Sequence, residues 1–208
     1  MNSLTHKFIT KTALEQLEIV TDKEILINYS AKPDEDETDG AFMWHFYNPA
    51  TKKNFKGGRV SALTKLLEHF DNAINLYKIN DILFLEELGR ACHFIQDMCT
   101  PVHTYYEDTF DAVTRLSQHT HFENYVDNLI KKSNFQIVTI DEMTKGMLLN
   151  NNLKTFAKYS AMLASEDFYY LDNNEQKGIL SIAIDSVNNG IIATCAVLLH
   201  FNVEKIGD

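Results

Sequence analysis

The chain has 208 residues, of which 45% are hydrophobic, and its 19 basic and 29 acidic side chains give a formal net charge of −10. This length suffices for one substantial core and is short for more than one, so we expect a single domain over residues 1–208. The negative charge disfavours a protein that holds nucleic acid on a basic surface, although bound divalent cations can still create a local phosphate site.

The N-terminal segment, MNSLTHKFITKTALEQL, has no continuous apolar stretch of the kind that a secretory signal contains. We therefore expect either a cytoplasmic protein or a secreted protein that has already been processed. Apolar residues recur at helical spacing over residues 5–19, so this segment is predicted as the first helix.

The same periodicity predicts further helices at residues 60–78, 81–99, 119–131, 151–170 and 174–200. The apolar run GIIATCAVLLHF at 190–201 is too short to span a bilayer and is interpreted as part of a core helix. Only FQIVTI at 135–140 resembles a strand, and one strand cannot form a sheet. The fold class is therefore predicted as all-α, a multi-helix bundle.

The predicted helix at 81–99 ends in the motif GRACHFIQDMCTPVH. His93 and Asp97 are four residues apart, so on a helix their side chains lie on nearly the same face and can bind one ion together. Pro101 lacks the backbone donor that would bond to the Asp97 carbonyl, so we expect the helix to kink or end there and His103 to point elsewhere. The competing interpretation is an amphipathic helix whose polar residues pair locally.

A second pair with the same spacing lies in HTHFENYVDN, where His119 stands four residues before Glu123. Mixed nitrogen and oxygen ligands of this kind suit zinc. His121 would face away from the pair and is interpreted as a surface residue or as a partner of a ligand. His69 and His200 have no histidine or carboxylate at a spacing that suggests a site, and both are interpreted as structural.

Four segments together resemble the zinc-dependent phospholipase C family, which shares a fold and a trinuclear zinc site with single-strand-specific zinc nucleases. These segments are THKFITKTAL, PDEDETDGAFMWHFYNP, LGRACHFIQDMCTPVHT and HTHFENYVDN. The resemblance covers most of residues 1–131, and the remainder is similar only in being helical. It implies a helical domain with a metal cluster in a cleft, three zinc ions as cofactors and hydrolysis of a phosphodiester.

The resemblance also implies the ligands of the first two ions. His45, His93 and Asp97, with an aspartate of the preceding acidic loop, would form one zinc site. Asp97 would bridge to a second zinc, which His6 and the amine and carbonyl groups of Met1 would also bind. Family members usually begin with tryptophan after signal removal, whereas a methionine stands here, five residues before His6.

The third ion, by the same resemblance, would be held by His103, His119 and Glu123. The proline after the first pair thereby allows one segment to supply ligands to two metal positions. The loop aspartate has three candidates in PDEDETD, which are Asp34, Asp36 and Asp39. We prefer Asp34 because it follows the proline as in the family and lies eleven residues before His45; it could also orient the attacking water or act as its base.

Three functions are compatible with these features. The first is a phospholipase C that releases diacylglycerol and a phosphorylated headgroup through attack of a zinc-activated hydroxide on phosphorus. It is favoured by HFYNPAT and by residue types that suit contact with a membrane surface, although such residues are more often core: Phe42, Met43, Trp44, Phe46 and Tyr47.

The second function is a nuclease or nucleotidase, in which some of these rings and Tyr105 or Tyr106 would stack on bases. The net charge of −10 argues mildly against it. The third is a helical protein that zinc stabilises without catalysis, and it ranks last because every expected side-chain ligand is present. The expected partner is therefore a phospholipid or another phosphodiester, and nucleic acid only under the second function.

Overall fold

The fold is seen in a computed structural model of the chain, which describes residues 1–19, 22–35, 41–104, 112–132, 135–171 and 176–204. These residues form ten α-helices and no β-strand, so the predicted all-α class is confirmed. The helices are α1 (Ser3–Gln16), α2 (Lys23–Tyr29), α3 (Lys32–Glu35), α4 (Ala62–Leu76), α5 (Leu83–Asp97), α6 (Pro101–Thr104), α7 (Ala112–Lys132), α8 (Glu142–Leu149), α9 (Leu153–Leu171) and α10 (Gln176–Glu204). A 3₁₀ helix, Ala41–His45, lies between α3 and α4.

Helix α5 lies at the centre of the fold and packs against α4, α2 and α10. The C-terminal half of α5 is buried on all sides, and this half includes the polar residues His93, Gln96 and Asp97. Burying a polar group is costly unless it is bonded, so these three side chains must find partners within the protein. The candidate site is built around them.

The contact between α5 and α2 is unusually close at Gly89. A Cβ atom at this position would lie 2.8 Å from the Leu26 carbonyl oxygen and 2.8 Å from the Tyr29 Cβ. Only a residue without a side chain allows the two backbones to approach this far. The approach brings the end of α2, with the carbonyl of Ser30, against His93.

Helix α10 matches the predicted helix at 174–200 and is much longer than the apolar run at 190–201 within it. It has 29 residues, and the stretch Gly178–Glu204 is long and apolar enough to cross a membrane by length and composition alone. The length argument against a membrane span is therefore wrong. However, 67% of its most apolar window is buried against the rest of the protein, mainly α1, α5 and α9, which fits the predicted core helix.

Residues 135–140, the segment with a strand-like pattern, form no strand. Gln16 of α1 donates from Nε2 to the Val138 carbonyl at 2.7 Å and accepts at Oε1 from the Ile140 backbone at 3.2 Å. Asn188 of α10 accepts from the Val138 backbone at 2.9 Å. Helix side chains thus satisfy the backbone groups that a neighbouring strand would otherwise bind.

The six long helices are found within a few residues of their predicted bounds, except that α7 begins at Ala112 instead of 119. The short elements α2, α3, α6, α8 and the 3₁₀ helix are not predicted by periodicity. One apolar cluster extends from Met1 to Phe201 in α10. The single domain over 1–208 stays a prediction.

Candidate metal centre

His93 and Asp97 lie one turn apart on the buried face of α5. His93 Nδ1 donates to the carbonyl oxygen of Ser30 at 2.9 Å. This bond fixes the ring and leaves the Nε2 lone pair directed into the site, 3.2 Å from Asp97 Oδ2. A histidine whose second nitrogen donates to a carbonyl is the usual arrangement of a metal ligand.

The first group of candidate ligands forms where the 3₁₀ helix and α3 meet this face. His45 Nδ1 lies 2.9 Å from His93 Nε2 and 2.8 Å from Asp97 Oδ2. Asp34 Oδ1 lies 3.5 Å from His93 Nε2 and 3.6 Å from His45 Nδ1. The ligand atoms of His45, His93 and Asp97 lie within 4.8 Å of one another, so these three residues could hold one metal ion.

The second group is centred on His6 of α1, which is fully buried. Its Nδ1 donates to Gln96 Oε1 at 2.6 Å, while Gln96 Nε2 donates to the hydroxyl oxygens of Thr10 at 2.8 Å and Thr194 at 3.0 Å. These bonds assign the amide orientation of Gln96 and, through it, the protonated nitrogen of His6.

The other nitrogen of His6 shows that a metal fits this centre. His6 Nε2 is buried and has no hydrogen-bond partner among the described residues. It faces two carboxylate oxygens, Asp97 Oδ1 at 3.5 Å and Asp34 Oδ2 at 3.7 Å, neither of which can donate when ionised. A lone pair and two carboxylate oxygens that face one another can together bind a cation, and this donor set suits zinc.

The third group lies beyond the break between α5 and α6. As predicted, α5 ends before Pro101, and the chain turns into α6, where His103 sits. His103 Nε2 lies 2.7 Å from His119 Nε2 and 3.1 Å from Glu123 Oε1, and His119 Nε2 lies 3.2 Å from the same oxygen. His103 Nδ1 also lies 3.1 Å from Asp97 Oδ1, which connects this group to the first two.

The amine of Met1 lies between the groups. Its nitrogen is 2.8 Å from Glu123 Oε1, 3.2 Å from Asp97 Oδ1 and 3.5 Å from His103 Nε2. The next residue holds it there, because Asn2 Nδ2 donates to Asp127 Oδ2 of α7 at 3.1 Å. The amine is therefore next to Asp97, as the resemblance implies, and also next to Glu123, which the resemblance assigns to the third ion.

The structure thus brings together all nine candidate residues: Met1, His6, Asp34, His45, His93, Asp97, His103, His119 and Glu123. Asp36 and Asp39, the other two loop candidates, lie outside the described residues. His121 is exposed, and the remaining two histidines have structural contacts. His69 Nδ1 lies 2.8 Å from Glu87 Oε2, and His200 Nε2 donates to the Leu148 carbonyl at 3.3 Å.

The protonation states of two histidines match those of metal ligands. Burial, with the charge of His93, lowers the pKa of His6 well below its usual range. Burial, with the charge of His103, lowers the pKa of His119 to about 3. Both rings are therefore neutral at pH 7 and have a lone pair available for a metal.

The two buried carboxylates are ionised. Burial favours the neutral acid at Asp97 and Glu123, but the charges of His103 and the Met1 amine outweigh burial and hold both pKa values far below their usual range. In return, although burial disfavours its charge, the amine has a pKa raised to about 11 by Glu123 and Asp97. Without a metal, the protonated Met1 amine supplies positive charge to the carboxylates, and Asp97 raises the pKa of His103 against the effect of burial.

The three groups lie at the base of a cavity of about 580 Å³. Asp34, His45, His103, His119 and Glu123 reach its surface. The rest of the wall is mainly apolar and includes Phe42, Phe46, Phe55, Val102, Leu116 and Phe168. A site of this shape combines a polar floor of candidate metal ligands with room for an apolar molecule.

Comparison with known proteins identifies the family. The profile of the zinc dependent phospholipase C family matches residues 5–174, which is most of the chain. The chain belongs to the zinc-dependent phospholipase C family. A comparison with curated protein sequences finds no match.

Two solved structures of clostridial toxins have the same fold as this phospholipase C family member. The alpha toxin of Clostridium absonum is 22% identical with a TM-score of 0.75, and the match covers 93% of this chain and 56% of the toxin. The alpha-toxin of an avian strain of Clostridium perfringens is 20% identical with a TM-score of 0.75, and the match covers 99% of this chain and 62% of the toxin. The chain thus spans less than two thirds of either toxin.

Several residues that orient the candidate ligands of this family member are not evident from its sequence. Gln96, Thr10 and Thr194 orient His6, and Ser30 orients His93. Gln96, Thr10 and Thr194 are polar residues within apolar helix faces, and only this feature of the sequence could have indicated their role. Ser30 acts through its backbone carbonyl, for which sequence carries no signal.

The aromatic residues after the acidic loop divide between two environments. Tyr47 is buried in the core, and Trp44 is half-buried beneath Lys65, whose Nζ lies 4.4 Å from the ring centre. Phe42 is 43% exposed at the cavity edge, and the ring of Phe46 stacks on His103 with centres 5.0 Å apart. The cluster therefore supplies both core and cavity wall.

Proposed function

We propose that this protein is a phospholipase C, which hydrolyses the phosphodiester of a phospholipid and releases diacylglycerol and a phosphorylated headgroup. The observation that carries the proposal is the convergence of three histidine and carboxylate groups at the floor of a largely apolar cavity. Membership of the family supports the same chemistry. A phosphate would meet the metal-binding floor, and the lipid part would meet apolar wall residues such as Val102, Leu116 and Phe168.

Three zinc ions are proposed as the cofactor. His45, His93, Asp97 and Asp34 would hold one ion, and His103, His119 and Glu123 another. His6 Nε2, Asp97 Oδ1 and the Met1 amine would hold the third, in agreement with the unpaired nitrogen of His6. Bound zinc supplies Lewis acidity, which activates water and stabilises negative charge on phosphate oxygens.

Asp34 is the proposed general base. Its side chain is 31% exposed and reaches the cavity, while its oxygens lie within 3.7 Å of ring nitrogens of His6, His45 and His93. Burial raises the pKa of Asp34, in contrast to the strongly ionised Asp97 and Glu123. Of these three carboxylates, Asp34 is therefore the best suited to orient a water molecule and accept its proton.

A membrane surface is the proposed source of the substrate. Phe42 is 43% exposed and Leu116 is 67% exposed, and both line the cavity. Exposed apolar side chains at the edge of a lipid-binding cavity are suited to contact with lipid.

Metal analysis and a substrate panel test the proposal together. Protein purified without chelator is analysed for zinc and then assayed on a phosphatidylcholine analogue, a second phospholipid, single-stranded DNA and a generic phosphodiester. We expect about three zinc ions per chain and release of diacylglycerol from phospholipid. Hydrolysis of DNA alone would replace the proposed function with that of a nuclease, and bound zinc without hydrolysis of any substrate would indicate a structural metal centre.

A further inference from the structure

The cavity wall contains a lysine whose position bears on the choice of substrate. Lys56 lines the cavity, and its Nζ lies 5.7 Å from the ring centre of Phe42 and 5.9 Å from that of Phe55. Among the described residues that line the cavity, it is the only Lys or Arg side chain. Residues 52–59 carry four basic side chains in a chain of net charge −10, and of these four only Lys56 is among the described residues that line the cavity.

A continuous row of rings connects Lys56 to the metal centre. The ring of Phe46 stacks on His103 at 5.0 Å and contacts Phe55 at 4.8 Å, and Phe55 contacts Phe42 at 5.6 Å. Lys56 lies at the far end of this row. A substrate whose phosphate bound at the histidines could therefore extend along the rings to the lysine.

The loop that carries Lys56 is held in place. The buried Asn54 accepts at Oδ1 from the backbone of Lys56 at 3.0 Å and of Gly58 at 2.9 Å, and its Nδ2 donates to the Val60 carbonyl at 2.8 Å. Gly57 adopts φ +78°, a left-handed conformation that glycine accommodates without strain. These bonds fix the backbone of the loop at Lys56, and the loop thereby places the exposed lysine side chain beside the rings.

The faces of aromatic rings bind quaternary ammonium groups such as choline. In this cavity the ammonium group of Lys56 already lies over the rings of Phe42 and Phe55. A choline headgroup would have to displace or approach a like charge, which is unfavourable. The carboxylates among the described lining residues, Asp34 and Glu123, already belong to the metal-binding groups and cannot neutralise a second cation as well.

We propose that Lys56, held over Phe42 and Phe55, makes the cavity select anionic phospholipids whose headgroup carries hydroxyls and no ammonium, in preference to choline phospholipids. This inference rests on the proposed phospholipase C function. The lysine contributes three hydrogen-bond donors and one positive charge to such a headgroup. The proposed selection acts on the headgroup of the single lipid bound in the cavity, and not on the charge of the membrane surface.

The test compares two soluble short-chain substrates, dihexanoyl phosphatidylglycerol and dihexanoyl phosphatidylcholine, at concentrations below micelle formation. We expect the zinc-loaded protein to have the higher kcat/KM for phosphatidylglycerol. Lys56→Glu should lower the ratio of kcat/KM for phosphatidylglycerol to kcat/KM for phosphatidylcholine about tenfold, because it replaces a charge that repels choline with one that attracts it and removes the ammonium donors to the glycerol hydroxyls. Lys56→Arg should retain the ratio. Zinc content and melting temperature, measured for each variant, exclude a general loss of structure.

The matched control is Lys53→Glu. Lys53 is exposed on the same loop and is not among the described residues that line the cavity, so the same change in net charge should leave the ratio unchanged.

A second measurement, of binding, does not depend on catalytic turnover. Calorimetry should show that glycerol 3-phosphate binds the zinc-loaded protein more tightly than phosphocholine does, and that Lys56→Glu removes this difference.

The outcomes separate the inference from the function on which it rests. If the protein cleaves phospholipids and Lys56→Glu leaves the ratio unchanged, the inference is overturned and the function stands. An effect of Lys56→Glu on anionic vesicles alone, with none on soluble substrates, also overturns it, since the lysine would then respond to the membrane. Failure of zinc-loaded protein to cleave either phospholipid overturns the proposed function itself.

Discussion

Asp97 is the residue at which the three candidate groups meet. Its Oδ2 lies 2.8 Å from His45 Nδ1 and 3.2 Å from His93 Nε2, while its Oδ1 lies 3.1 Å from His103 Nδ1 and 3.5 Å from His6 Nε2. The two oxygens therefore face different histidines. A carboxylate with this arrangement can bridge two ions.

Replacing Asp97 with asparagine tests this bridge. Asp97→Asn keeps the shape of the side chain but removes the charge and one acceptor, so we expect loss of more than one zinc ion per chain and a fall in activity of about a hundredfold or more. Zinc per chain after dialysis and the rate of phosphodiester hydrolysis measure this. His119→Asn is the comparison, because it removes one ligand of one group and should cost less zinc. Full zinc content and activity in Asp97→Asn would show that the bridge is misassigned.

The acidic loop provides a second test at the scale of single residues. Asp34→Asn should abolish most of the hydrolysis, whereas Asp36→Asn and Asp39→Asn, which make the same chemical change in the same loop, should retain it. The reason is that Asp34 has its oxygens within 3.7 Å of three histidine nitrogens. Steady-state kinetics of the three variants decide between them, and a larger loss in Asp36→Asn or Asp39→Asn would move the assignment to that residue.

The residues of the site could be predicted from sequence where a local spacing carries the information. His93 with Asp97 and His119 with Glu123 follow from a four-residue spacing on a helix. Gln96 could not be predicted in this way, because its partners His6, Thr10 and Thr194 lie in helices about 90 residues away on either side. Its role depends on tertiary packing that no local pattern records.

Among the helices, the contact between α2 and α5 can be tested at Gly89. Gly89→Ala would place a methyl group 2.8 Å from the Leu26 carbonyl oxygen, so the two helices must separate. We expect a loss of about 1–3 kcal/mol in the free energy of unfolding. We also expect weaker zinc binding, because the separation removes the Ser30 carbonyl from His93 Nδ1. Thermal unfolding and zinc titration measure the two effects.

Two other glycines serve as controls for this prediction. A Cβ on Gly146 of α8 would have nothing within 4 Å, so Gly146→Ala should stabilise the protein by about 0.5–1 kcal/mol. A Cβ on Gly190 of α10 would meet the flexible end of Ile9 at 2.9 Å, so Gly190→Ala should cost less than Gly89→Ala. Equal effects of all three substitutions would mean that the approach of α2 to α5 has no special role.

The long helices could be predicted because periodicity over many residues is a strong signal, and their bounds agree within a few residues except at the start of α7. The short elements α2, α3, α6 and the 3₁₀ helix are too brief to show a period. Three of them nevertheless hold ligand candidates: Asp34 in α3, His45 in the 3₁₀ helix and His103 in α6. Packing against α4, α5 and α9, which sequence does not reveal, sets their conformation.

For the whole molecule, zinc binding should depend on pH. Glu123 and Asp97 raise the pKa of the Met1 amine to about 11 against the effect of burial, and Asp97 raises that of His103. The Met1 amine is protonated in the metal-free protein at pH 7 and must lose a proton to bind zinc, and the raised pKa of His103 favours its protonated form, so affinity should rise with pH and fall as the solution becomes acidic. His119, with a pKa of about 3, should release none.

Calorimetry in two buffers with different heats of ionisation measures these protons. We expect release of about one proton from the Met1 amine, and of up to one more from His103, as the protein is fully loaded with zinc at pH 7. Release of none would mean that neither the amine nor His103 becomes a ligand. A block on the amine should reduce the number by about one.

An extension at the N-terminus tests the amine directly. A form with two extra residues before Met1 no longer has its amine 2.8 Å from Glu123 and must fit additional chain into a buried position. We expect this form to lose one zinc ion and most of its activity while the helical content measured by circular dichroism persists. If the extended and unextended forms have equal zinc content and equal rates of hydrolysis, the amine is not a ligand and His6 is better interpreted as a structural residue.

The candidate ligands come from six elements of the first 123 residues, and the three cysteines of the chain are buried and free. Zinc ions at this centre would therefore be the cross-links of the fold, joining the first residue to α5 and α7 as disulfides do in other proteins. Unlike the strength of a disulfide, the strength of such a cross-link depends on the concentration of free zinc. Each site would add about 2.7 kcal/mol when free zinc is a hundred times the dissociation constant, so the metal supply of the compartment would govern how long the chain survives unfolding and proteolysis.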